Sequence, residues 1–172
     1  MKLKILMVKA MKTGIETINY GDDISCYEMR SSLCRERDKE LMACYRRIIA
    51  EMFSEKGEIS RKEIVRRVIY RSRPKFYVSF FTAYKVVGKY LHSGELRIKN
   101  AETRAMWKDL AGKVVETRLA NPEINYCDAL AITLGTRRAD RFYLSEEYVS
   151  KLLYHVVKEN KKNGNNNFNK RG

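Results

Sequence analysis

The stretch Phe76-Tyr77-Val78-Ser79 returns 66 residues later as Phe142-Tyr143-Leu144-Ser145, each copy following a short basic turn and leading into a helix-like segment. The likeness extends backwards. Glu58-Ile59 matches Glu123-Ile124, Ile64 to Ile69 matches Ala129 to Leu134, and Arg73 matches Arg138, with one residue inserted ahead of the second Phe-Tyr. The chain therefore reads as one small helical unit written twice, over about 58–92 and 123–158.

Between and around these copies the pattern is helical throughout. From Ser32 onward, Leu41, Tyr45, Ile48, Ile49, Met52 and Phe53 fall on one stripe, with Gly57 as the stop. Ser60-Arg61-Lys62-Glu63 has the spacing of a capping box, in which the serine accepts from the third helical amide and the glutamate reaches back. Ile64, Val65, Val68 and Ile69 form the buried face of that second helix. Pro74 ends it and pushes Arg73 toward extended backbone, making Arg71 to Lys75 a turn.

A third helix starts near Ser79, with Phe80, Phe81, Tyr84, Val87 and Leu91 as its apolar side and His92-Ser93-Gly94 as its end. A fourth follows Asn100, carrying Met106, Trp107, Leu110, Ala111, Val114, Val115 and Leu119 until Asn121-Pro122. Val149, Leu152, Leu153, Val156 and Val157 stripe the last. The expected fold is all-α: about six helices in one compact domain with two related helix-turn-helix-like halves. The expected limits are a loosely ordered extension over 1–28, a helical domain over 29–159 and a disordered Asn/Lys tail over 160–172. Met29 stands at the head of the helical part, which leaves both Met1 and Met29 as readings of the translation start.

Charge carries the functional signal. The 172 residues bear a formal net charge of +14, and a field of that sign gathers nucleic acid, anionic surfaces or acidic proteins. Positions 58–89 hold nine basic residues against two acidic ones, and 158–172 hold five against one. The rest is nearly balanced. The first cluster consists of Arg61, Lys62, Arg66, Arg67, Arg71, Arg73 and Lys75, on a helix flank and the turn after it. The helix beyond offers Thr82, Lys85 and Lys89 on its remaining faces. Such a surface suits phosphate contact, and the following helix has the place of a groove-reading element.

Other chemistries find little here. Cys26, Cys34, Cys44 and Cys127 lack the close pairing of zinc sites and read as free thiols in a reducing compartment. His92 and His155 are isolated, no glycine-rich loop precedes a lysine, and Glu95, Glu102, Asp109 and Glu116 recur at sevens, too far apart to share a cation. No metal, cofactor or enzymatic activity is expected. Tyr77 and Tyr143, beside arginines, are read as packing residues rather than nucleophiles. The Phe-Tyr pairs are likewise expected to lock turns onto a core.

No apolar run approaches the roughly 18 residues of a spanning helix, so a cytoplasmic location away from membranes is expected. The reading that follows is a DNA-binding accessory or transcription-regulatory factor. The rival is a protein-interaction or structural protein whose basic face docks on an acidic partner or builds a homo-oligomer.

Overall fold

A computed structural model describes the backbone of residues 26–55 and 60–154 and the side chains of 31–54 and 60–154. Everything else, including most of the 1–28 extension, Gly57, Val156, Val157 and the 160–172 tail, lies outside the described residues. Six helical segments and no strand occupy the described part: α1 Cys26–Glu55, α2 Arg61–Arg71, α3 Phe80–Ser93, α4 Ala101–Ala120, α5 Tyr126–Thr136 and α6 146–154. The protein is all-α.

Local signals set most boundaries. Ser79 accepts from the Thr82 amide at 3.2 Å, and Asn100 accepts from that of Thr103 at 2.9 Å, so each satisfies one orphan donor of a helix start. Gly94 closes α3 in the left-handed region, with φ 73° and its amide on the Tyr90 carbonyl. Two starts differ from expectation. α1 is already helical at Cys26, ahead of Ser32, so Met29 lies inside it. Ser60 makes no side-chain cap bond, and Glu63 turns forward to Arg67 at 2.9 Å instead of back. An ion pair one turn along the helix has taken the place of the capping box.

The turns place helices in an order that local pattern does not reveal. α2 packs on α1, whereas α3, the next helix along the chain, packs on α4 and α5. One core gathers Leu41, Ile48 and Met52 from α1 and Ile64, Val65, Val68 and Ile69 from α2 around Phe142, Val149 and Leu153. The other gathers Trp107, Leu110, Ala111 and Val114 from α4 and Ala129 and Leu130 from α5 around Phe76, Ala83 and Val87. Each Phe-Tyr turn therefore crosses over: its phenylalanine and the helix after it complete the core built by the opposite part of the chain. Phe76 and Phe142 are both buried, as the turn-locking reading anticipates.

The tyrosines stay at home. Tyr77 donates to Glu40 on α1, and the Tyr143 hydroxyl lies close to Asp109 on α4. Burial, reinforced by these carboxylates, holds both hydroxyls protonated well above the ordinary phenol range. The same carboxylates accept a turn amide, Lys75 at 3.3 Å from Glu40 and Asp140 at 3.0 Å from Asp109. α2 and α5 are each eleven residues long and begin 65 residues apart, at Arg61 and Tyr126. Buried positions correspond as well: Ile64, Val65 and Val68 on α2 face inward where Ala129, Leu130 and Thr133 do on α5.

Two expected stripes are corrected by burial. On α3 the inward residues are Ala83 and Val87, while Phe80, Phe81 and Leu91 are exposed, Phe81 to 63 %. Tyr126 explains part of this: its ring is tilted against that of Tyr84, centres 5.1 Å apart, and lies against Gly88, filling the side where a larger α3 residue would sit. On α4, Val115 and Leu119 face outward, and Thr117 turns inward to meet the Thr133 hydroxyl at 3.0 Å. That pair satisfies two buried hydroxyls at the α4–α5 contact. Phe53 of α1 is exposed too.

Candidate nucleic-acid interface

Backbone bonds bring the two turns side by side. The Ala139 amide donates to the Pro74 carbonyl at 2.8 Å, and the Phe142 amide to that of Ile69 at 3.0 Å. Pro74 and Ala139 are buried, so the residues flanking them point away: Arg73, Lys75 and Arg138 are exposed around this junction. The sequence reading treated the first turn alone. Arg138 joins it because a non-local hydrogen bond, which no periodicity reports, lays one turn along the other.

Partners divide the ten sequence-derived candidates. Arg61 donates to the Ser150 carbonyl at 3.1 Å with its guanidinium 5.8 Å from the Tyr154 ring centre, and Arg66 pairs with Glu146 at 3.0 Å. Lys62 lines the same α2–α6 groove. Arg67 is held by Glu63, whose carboxyl lies below its usual range because of that hydrogen bond. The α2 flank is thus met by α6, a neighbour that the crossover supplies and the local reading did not anticipate. Arg71, Arg73, Lys75 and Lys89 are exposed and make no ion pair among the described residues. Lys85 sits 4.0 Å over the Phe81 ring. Thr82 is exposed and bonds the Ser79 hydroxyl at 2.8 Å.

Magnitudes sort these roles. The Arg66–Glu146 pair is about half exposed, and such surface pairs contribute about 0–1 kcal/mol, little enough for a phosphate to compete. Arg138 sits 3.5 Å from Glu40 with half its side chain in solvent, a similar case. Arg141 is different. Its guanidinium lies 2.7 Å from Glu102 and between the rings of Tyr70 and Tyr143, at 5.2 and 4.8 Å, and serves as a structural clamp. Lys113 is also committed: although burial opposes its charge, Asp109 and Asp140 hold its pKa above the ordinary value.

A cleft of about 510 Å³ runs between the turns, bordered by Lys75, Tyr77, Thr82, Trp107, Arg141 and Tyr143. Lys75 and Thr82 both border it, which brings one turn cation to the cleft that the start of α3 also lines. From there the exposed stripe of α3 continues: Phe81, Lys85, Lys89 and His92 lie within about 80° of arc at 100° per residue. Among the described residues, no group of His, Cys, Asp or Glu is placed to hold a metal ion, and no helix is long and apolar enough to cross a membrane. No family model, curated protein or solved structure matches this chain.

Proposed function

We propose that this protein binds nucleic acid, DNA in the first instance, as an accessory or transcription-regulatory factor that grips the phosphate backbone through its apposed turns. The observation that supports this reading is the Ala139–Pro74 bond, which gathers Arg73, Lys75 and Arg138 on one exposed junction, with Lys75 sharing a cleft with Thr82 at the start of α3. Fixed cations spaced over a rigid body neutralise phosphates and release counterions, giving affinity that falls steeply with salt. α2 and α3 do not pack on one another, so the contact is a two-turn grip rather than a recognition helix presented by its neighbour.

Fluorescence anisotropy with a labelled DNA 30-mer at two salt concentrations tests it. Arg73→Ala with Arg138→Ala should weaken binding and make log affinity against log salt shallower by about 2, since each phosphate contact contributes about 0.9. Equal affinity and slope in this variant would remove the proposal. A second reading, a contact with protein or with another copy of the chain, draws on Val115 and Leu119, exposed one turn apart on α4. Concentration-dependent sedimentation that Leu119→Ser abolishes would favour it.

A further inference from the structure

We infer that α3 carries a stacking platform for unpaired bases, centred on Phe81, and that the preferred ligand is single-stranded nucleic acid. The inference rests on the phosphate-gripping reading above and adds the class of strand. Phe81 is an aromatic ring 63 % exposed on a helix whose inward positions, Ala83 and Val87, are fully buried. It is no frayed residue. Ser79 caps the helix directly beneath it, and the Ala83 amide continues the ladder onto the Ser79 carbonyl at 2.9 Å.

A large ring held outward by a capped helix leaves apolar surface open to an occupant that can cover it. Its surroundings name the occupant. Lys85 lies 4.0 Å over the Phe81 ring, and Lys89 continues the same exposed side of the helix one turn beyond Lys85, so the ring has a cation in direct contact and a second further along. A protein interface would bring apolar neighbours and shed lysine. Exposed rings with cations beside them are what a strand of splayed bases requires: π-faces for the bases, positive charge for the phosphates between them.

Phe80 extends the platform along a second line. It is 41 % exposed and stacks with Tyr84, ring centres 6.2 Å apart, and Tyr84 in turn meets Tyr126. The Tyr126 hydroxyl donates to the Tyr84 carbonyl at 2.9 Å, which fixes this row from below. Phe80 thus has a rigid backing on one side. Duplex DNA hides its base faces and gives these rings no use, whereas its phosphates still reach the turn cations. Single and double strands therefore separate by their dependence on Phe80 and Phe81.

The test uses the full chain with labelled oligo(dT) of 20 nucleotides and a duplex of matched length. Phe81→Ala should lower affinity for oligo(dT) about ten-fold and leave duplex affinity and the salt slope unchanged. Phe81→Trp should restore single-strand affinity, and its indole fluorescence should be quenched on adding oligo(dT). Wild-type preference for the duplex, or equal loss on both substrates in Phe81→Ala, overturns the platform and leaves the phosphate grip standing. Failure of the wild type to bind either substrate at low salt overturns both. A shift of Phe81→Ala to smaller particles in sedimentation, with oligo(dT) affinity intact, overturns the platform in favour of self-association.

Discussion

Pro74 accepts the Ala139 amide at 2.8 Å, 65 residues along the chain, and at this bond the two Phe-Tyr turns exchange the helices that follow them. Phe142 completes the α1–α2 core and Phe76 the α4–α5 core, so neither set of helices is closed by its own sequence neighbours.

Removing either ring should unsettle the whole molecule. Phe76→Ala and Phe142→Ala are each expected to cost about 3–5 kcal/mol, the range for truncating a buried phenylalanine, in a single cooperative urea transition. Two separate transitions, with only one moved by each substitution, would show that the cores melt independently.

A chain ending at Lys99 retains α1, α2 and α3 but lacks Phe142, Val149 and Leu153. It also leaves Ala83 and Val87 without α4 and α5. Far-UV circular dichroism of this fragment should show low helicity and no sigmoidal melt. A cooperative melt would mean that three consecutive helices suffice.

The glycine inside α3 and the one that closes it should respond with opposite sign. At Gly94 the backbone has φ 73°, where a side chain is strained, and Gly94→Ala should lose about 1–2 kcal/mol. At Gly88 a methyl group would touch the Tyr126 ring at 3.4 Å, ordinary contact. Gly88→Ala should therefore gain about 0.5–1 kcal/mol from reduced freedom of the unfolded helix segment. Thermal melts of the two variants read out both.

Alkali should weaken the fold from about pH 10 upward. Burial against Tyr84 pushes the Tyr126 hydroxyl up to about 12, and Tyr77 and Tyr143 are raised as well. An acid whose folded pKa exceeds its unfolded one keeps its proton longer in the native state. The native state then binds more protons, and stability is full below the unfolded value and lost as pH climbs through the folded value. Phenolate absorbance at 295 nm should lag that of the unfolded chain. Tyr77→Phe, which has no hydroxyl to ionise, should flatten the decline in melting temperature. An unchanged pH profile in that variant would remove Tyr77 from this linkage.

Much of the helix layout was legible from chemistry local to each end. Ser79, Asn100, Gly94 and Asn121-Pro122 act within one turn of where they stand, and their effect does not wait on tertiary contacts. The inward face of α3 was legible at Val87 but not at Ala83, since hydrophobicity favours Phe80, Phe81 and Leu91 over alanine. Close packing selected a small residue in a core that already holds Trp107, Phe76 and Leu110. The basic turn was legible as charge, but its union with Arg138 was not. Nor was the meeting of Arg66 with Glu146, because both depend on which helix crosses to which core.

The crossover also governs how the chain matures as it leaves the ribosome. α1 and α2 emerge early, yet the phenylalanine and helix that seal them arrive only with residues 142 to 153, some eighty positions later. At about 5–20 residues per second that is a wait of several seconds with apolar side chains uncovered, ended only when Phe142, Val149 and Leu153 arrive.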